Sequence, residues 1–242
     1  LFRSSIKLAG ITGKVKNTIN KKLVIIMCSD NGVVEEGVAS SPQSVTLAQT
    51  INFTKGLTGV AVIAKANNSD LKILDVGINC DFSHSEVIDR KIRKSTSNIA
   101  KGSAMTYEEA VKGILIGIEA VCDAKSEGYE ILGVGEMGVG NTTTSSAVIS
   151  ALTGTRVEDV VGRGAGLTDE GLKKKVSVVK KAIEINRPNK EDPIDVLSKL
   201  GGFDIAAMAG VFLGAARYKI PVVIDGFISV VAALIAYKIG RA

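Results

Sequence analysis

Four short apolar, largely β-branched runs, none with polar alternation, constrain this chain more than any other feature. Residues 23–28, 71–76, 129–134 and 221–225 have strand length. They lack the polar face of a half-exposed strand, so they read as parallel strands covered on both sides. Between them lie stretches of helical period at residues 46–66, 106–127, 142–152, 169–185, 203–218 and 227–239. Thr106-Tyr-Glu-Glu109 and Thr168-Asp-Glu170 read as helix N-caps with acids in the first turn. Strand, loop and helix repeated in this way predict a doubly wound α/β domain.

Composition narrows the function. With 45% hydrophobic residues and a net charge of +5, the chain is not intrinsically disordered. Three dispersed cysteines make no disulfide scaffold, and with His84 as the single histidine no zinc-ligand spacing occurs. Cys28 and Cys80 read as small buried apolar residues, His84 as a surface residue, and the thiols as reduced in a cytosol. No tryptophan and 4% aromatics leave little for stacking nucleic-acid bases, so no nucleic-acid partner is expected. The longest apolar stretch, 220–236, is broken by Pro221, Asp225 and Gly226, which argues against a membrane span. The polar, proline-bounded segment 187–193 reads as a surface connection. Residues 6–11 read as a helix in need of a partner, and the ends at Leu1 and Ala242 suggest that one or both continue.

In an open parallel sheet, ligands sit beyond the carboxyl ends of the strands. The loop after the third strand is Gly133-Val-Gly-Glu-Met-Gly-Val-Gly-Asn-Thr-Thr-Thr144. Its glycine amides, a helix starting near Asn141 and hydroxyls from Thr142 onward suit a phosphate. Gly133-x-Gly135-x-x-Gly138 matches a dinucleotide fingerprint, but no acid-ended strand follows at the right distance. Gly135-x-x-x-x-Gly140-Asn141-Thr142 resembles a triphosphatase loop with Asn in place of its lysine, so a monophosphate fits better than triphosphate hydrolysis. A second glycine-rich loop, with Gly164 and Gly166, feeds a helix bearing Lys173, Lys174 and Lys175, which spacing alone does not separate from a solvated face. Asp30-Asn31-Gly32 after the first strand, and Asp225-Gly226-Phe227 after the last, are possible pocket walls. The bland readings are a turn for the first and a helix cap for Asp225.

These segments together resemble the nicotinate-nucleotide–dimethylbenzimidazole phosphoribosyltransferase family of cobalamin biosynthesis. The resemblance rests on Ser29-Asp-Asn-Gly-Val-Val-Glu-Glu-Gly37, Val87-Ile-Asp-Arg-Lys-Ile-Arg93, Gly135-Glu-Met-Gly-Val-Gly-Asn-Thr-Thr143, Val161-Gly-Arg-Gly-Ala-Gly-Leu-Thr-Asp-Glu-Gly171, Gly201-Gly-Phe-Asp-Ile-Ala-Ala-Met-Ala-Gly210 and Pro221-Val-Val-Ile-Asp-Gly-Phe-Ile228.

The resemblance implies a Rossmann-like sheet over residues 21–242 and, with residues 1–20, part of a small helical domain built from both chain ends, in a homodimer. It implies transfer of 5-phosphoribose from nicotinate mononucleotide to 5,6-dimethylbenzimidazole or a similar base, without metal or cofactor. By motif, Glu136, Met137, Gly138, Val139, Gly140, Asn141, Thr142 and Lys175 would hold the phosphate and ribose. Ser41, Pro42 and Gln49 would line the base pocket, with Asp30, Asn31, Gly164, Gly166, Gly202, Asp225, Gly226 and Phe227 as further walls. Two departures stand out. Asn31 replaces a histidine carried by many members, and the family's glutamate base is expected beyond Ala242, with no visible carboxylate aligned to it. The alternatives are a non-catalytic nucleotide-binding homologue that needs a partner chain and, on the one glycine pattern, a dinucleotide-dependent oxidoreductase.

Overall fold

The structure, a computed structural model, describes residues 2–241. In chain order it forms α1 (Phe2–Thr12), β1 (Lys22–Ser29), a 3-10 turn (Gly32–Glu36), α2 (Val45–Thr54), α3 (Gly59–Ala66), β2 (Ser69–Gly77), β3 (Val87–Asp89), α4 (Tyr107–Ser126), β4 (Ile131–Met137), α5 (Asn141–Thr153), α6 (Val157–Val160), α7 (Asp169–Asn186), α8 (Pro193–Leu200), α9 (Phe203–Tyr218), β5 (Val222–Val223) and α10 (Phe227–Ile239).

All strand pairs are parallel, in the order β3-β2-β1-β4-β5. The order reverses between β1 and β4, which opens a crevice over the carboxyl ends of those two strands. Period-two alternation feeds both layers. Leu23, Ile25 and Met27 enter the main core with residues of α4 and α9, while Ile26 and Cys28 join a smaller cluster with Phe53, Ile73 and Ile78. Cys28 is the buried residue expected, its thiol pushed up to about 12 chiefly by burial, whereas Cys80 is only half-buried.

The tightest helix contact in the main core is between α4 and α9. Gly117 meets the Ala207 carbonyl and Gly210 meets the Ile114 carbonyl so closely that neither has room for a methyl group. Both expected N-caps form: Thr106 and Glu109 close a capping box, and the Thr168 side chain accepts from the Gly171 amide.

Several boundaries differ from expectation. Residues 46–66 are two helices, because Gly56 takes a left-handed φ of +70° and Thr58 caps α3 afresh. β4 runs on to Met137, since Gly133 and Gly135 pair with Val24 and Ile26 as strand residues. β5 stops at Val223. The connection expected at 187–193 forms over residues 187–192 between α7 and α8 and ends one residue early, because Asp192 is the N-cap of α8 and Pro193 fills its first turn, a position that does not need its missing amide.

Helix α1 forms as expected and buries none of its residues: Phe2 is 83% exposed and Ile6 60%. Among the described residues no helix is long and apolar enough to cross a membrane.

Candidate active site

The crevice between β1 and β4 holds a cavity of about 200 Å³ with one polar and one apolar end. Gly140, Thr142, Gly164 and Lys175 line the polar end; Val38, Ala39, Val45, Met137 and Val139 supply apolar surface, with Ser41 beside them. This is smaller than the ~300–1,000 Å³ of a complete ligand site, and the cavity is open on one side.

The floor is a three-residue turn, Gly138-Val139-Gly140, between β4 and α5. Gly138 admits no side chain, because a Cβ there would run into the Ser29 carbonyl and lie 2.9 Å from Asp204 Oδ2. Gly140 sits at φ +94°, where a side chain would be strained. Three amides of the turn and of the start of α5 are already engaged: Val139 donates to Thr46 Oγ1 (3.1 Å), Asn141 to the Gly138 carbonyl (3.1 Å) and Thr143 to the Gly140 carbonyl (2.9 Å). The amides of Gly140 and Thr142 remain for a ligand, at the positive end of α5.

Lys175 reaches this spot from α7. Its Nζ donates to Thr142 Oγ1 (2.8 Å) and to the Gly162 carbonyl (3.1 Å). The side chain is fully buried, and none of the ion pairs among the described residues includes it. Burial pulls its ammonium down to about 8. Its place follows from helical period: Lys175, Val178, Val179 and Ala182 form the buried stripe of α7, and Lys173 and Lys174 fall on the exposed face. A lysine from a different element thus stands beside Thr142, although the triphosphatase-like pattern here has Asn141 in place of its own lysine.

Asn141 is bound by carboxylates. Its Nδ2 donates to Glu136 Oε2 and, at 3.0 Å, to Asp204 Oδ2, so the side chain has no donor left for a phosphate. Glu136 is half-buried and lines the cavity; burial raises its carboxyl above the ordinary range. Asp204 is fully buried and is pushed up to about 7, first by burial and then by the charge of Glu136.

Of the other residues singled out from sequence, Ser41 lines the cavity and Gly164 forms its rim. Gln49 sits one turn beyond Val45 on α2 and is half-buried, Pro42 is exposed, and Gly166 is exposed beside the rim. Asp30, Asn31 and Gly202 lie beneath the floor rather than in it: Asp30 Oδ2 accepts from the Asn79 amide (2.8 Å), and both amide atoms of Asn31 are buried without a partner. Asp225, Gly226 and Phe227 are exposed past β5 and do not line the cavity. Asp225 is not a cap either, since Gly226 holds that position without a side-chain bond. The dinucleotide fingerprint fails because two of its three glycines are strand residues of β4. His84 is half-buried against Thr54 and not on the open surface.

Two residues of this network escape a reading of the sequence. Thr46 is fully buried and holds the Val139 amide, and Asp204 reads as an ordinary first-turn acid of α9. The adjacent glycines Gly201 and Gly202 were the available signal: a side chain on Gly202 would strike Asp204 and come within 2.6 Å of Asn31 Oδ1.

Residues 1–242 match the family described as Phosphoribosyltransferase. Nicotinate-nucleotide–dimethylbenzimidazole phosphoribosyltransferase of Clostridium acetobutylicum is 57% identical over 233 residues, covering 96% of this chain and 66% of the relative. The protein of that name from Clostridium perfringens is 61% identical over 235 residues, covering 97% and 65%. The crystal structure of CobT from Thermus thermophilus superposes with a TM-score of 0.95 at 37% identity, covering 99% of this chain and 72% of that one. The chain therefore spans 65–66% of the length of these curated relatives. With the match running from end to end and the glycine turn, the buried lysine and the reversed strand order all in place, the chain belongs to the nicotinate-nucleotide–dimethylbenzimidazole phosphoribosyltransferase family.

Proposed function

We propose that this chain binds nicotinate mononucleotide and moves its 5-phosphoribose to 5,6-dimethylbenzimidazole or a similar base. The products are nicotinate and α-ribazole 5′-phosphate, the nucleotide of the cobalamin lower ligand. One observation carries the reading: a fully buried ammonium without a carboxylate, Lys175, faces a cavity beside two open amides at a helix N-terminus. A buried cation without a counter-charge is costly, and a phosphate supplies that charge.

The chemistry is a displacement at the anomeric carbon of the ribose. Nicotinate mononucleotide carries a pyridinium, already a good leaving group, so the protein's task is mainly to hold the sugar and align the incoming nitrogen. The Gly140 and Thr142 amides, Thr142 Oγ1 and Lys175 Nζ grip the phosphate. Glu136, one turn below, faces the ribose and the departing ring. The apolar end, with Ser41, Val45 and Val139, takes the flat acceptor base. The bond from the base nitrogen to the anomeric carbon forms as the pyridinium bond breaks, its electron pair staying on nicotinate. The proton of the acceptor nitrogen passes to a general base, expected from the family resemblance to be a glutamate outside residues 1–242. The same resemblance supports a homodimer, a small helical domain to which the exposed α1 belongs, and a reducing cytoplasmic location that suits three free cysteines.

The test compares nicotinate mononucleotide with nicotinate riboside, which lacks the phosphate. Calorimetry should show the riboside binding on the order of a hundredfold more weakly, as loss of several charge-assisted hydrogen bonds requires. In the full-length protein, the nucleotide and dimethylbenzimidazole together should release nicotinate. Equal affinity for the two ligands would defeat the proposal.

A further inference from the structure

Two carboxyls share one amide group beneath the cavity. Asn141 Nδ2 has two hydrogens, and they go to Glu136 Oε2 and Asp204 Oδ2. Glu136 borders the cavity, whereas Asp204 is closed off from solvent and none of the ion pairs among the described residues includes it. The other charged and titratable groups around it offer no cation. Cys28, at the end of β1, is a neutral thiol, and Asp75 of β2 is already paired with Lys91 (2.9 Å). Arg93, over the neighbouring Phe203 ring, is paired with Glu109, and Asp30 is another acid. On α7, Lys175 is turned to Thr142. Two negative charges on one amide, in a closed space without a cation, are strongly unfavourable.

A second feature identifies where a proton would go. Asn31 Oδ1 is buried without a donor, and it crowds the same side of Gly202 as Asp204 Oδ1. Asp204 Oδ1 already accepts from the Ile205 amide (3.0 Å), so Asn31 Oδ1 is the oxygen that lacks a hydrogen, and a hydroxyl on the Asp204 carboxyl would be a donor for it.

We propose that Asp204 is a positioning residue that acts as a neutral carboxylic acid, donating to Asn31 and holding Asn141 so that Glu136 alone carries negative charge at the cavity floor. The assignment rests on the proposed nucleotide site and goes beyond it by giving the site a pH dependence. A single negative charge on Glu136 faces the cationic pyridinium end of the nucleotide. Ionisation of Asp204 would place a second charge beneath the phosphate loop and loosen its grip on an anion. Burial and the charge of Glu136 raise Asp204 to about 7, which puts that loss within an accessible range.

The test has one arm without ligand and one with it. Unliganded wild type and Asp204→Asn are melted from pH 5 to pH 8.5. An acid that ionises near 3.8 when unfolded and near 7 when folded gives stability that is lost as pH rises toward 7. The variant's advantage in melting temperature should therefore grow from pH 5 to about 7 and then level off. In the second arm, wild-type affinity for nicotinate mononucleotide should fall about tenfold between pH 6 and pH 8, as the binding-competent protonated fraction falls. Asp204→Asn should keep its affinity within about threefold, with only Lys175 near 8 still titrating.

A melting difference that does not vary with pH would overturn the proposal, and so would identical affinity profiles. The first outcome is what an ionised Asp204, bonded to a turned Asn31 amide, would give. If Asp204→Asn does not fold, wild type decides by calorimetry at pH 7.5 in buffers of different ionisation heat: proton uptake on nucleotide binding well above the roughly quarter proton that Lys175 near 8 takes up supports the assignment, and uptake no larger than that overturns it. A nucleotide that does not bind at any pH would defeat the proposed function, while the ligand-free arm would still judge Asp204.

Discussion

Replacing Lys175 with Met is expected to weaken nicotinate mononucleotide binding on the order of a hundredfold while making the unliganded protein more stable. The two effects share one cause. The ammonium is buried with only a hydroxyl and a carbonyl for company, and burial lowers it from 10.5 to about 8. A lysine charged more weakly in the folded than in the unfolded chain costs stability at every pH below about 8, and that cost disappears above 10.5. At pH 7 the cost is about 3 kcal/mol, and an apolar chain of similar size removes it. Thermal melting and nucleotide titration of the same variant check both halves. A destabilised Lys175→Met with unchanged affinity would mean that this lysine serves only packing.

The second large effect lies far from the site. Gly210→Ala puts a methyl group into the Ile114 carbonyl at the α4–α9 crossing, where backbone meets backbone and no side chain can swing away. Overpacking of this kind, with the helices forced apart, should cost about 3–5 kcal/mol. In a chain of this size that lowers the melting temperature by roughly 10 °C. Gly128→Ala is the control, since Gly128 has open space around it and only its left-handed φ of +83° to strain. A Gly210→Ala variant that melts with wild type would show that α4 and α9 do not approach so closely. Because α9 carries Asp204 in its first turn, the crossing also fixes the height of the carboxyl beneath the phosphate loop.

The layered architecture was legible chiefly through β1, whose residues 23–28 form an unbroken apolar run, while Lys72 and Asp75 interrupt the run of β2 and glycines that of β4. β3 was not, since three residues, Val87–Asp89, are too few to show a period. The glycines of β4 misled in the other direction: Gly133 and Gly135 look like loop residues, yet a parallel strand facing Val24 and Ile26 tolerates them. The prolines of 187–193 were read correctly as bounding a surface connection, except that Pro193 already begins α8 behind an aspartate cap.

The site shows the same division. The glycine turn follows from residue type alone, because only glycine fits at Gly138 and Gly140. The singling out of Lys175 also lay within reach, through the stripe it shares with Val178, Val179 and Ala182, but charge masked the pattern. Which donors remain free could not be read. The Val139 amide is taken by Thr46, distant in sequence, and the Asn141 amide by two acids. Those pairings are made by tertiary packing, and they leave Gly140, Thr142 and Lys175 as the donors for the proposed phosphate.

A crystal structure with nicotinate mononucleotide bound tests the central claim most directly. The account predicts phosphate oxygens within hydrogen-bond distance of the Gly140 and Thr142 amides and of Lys175 Nζ, with Asn141 still held between Glu136 and Asp204. A phosphate seated elsewhere, with Lys175 still bonded only to Thr142 and Gly162, would contradict it.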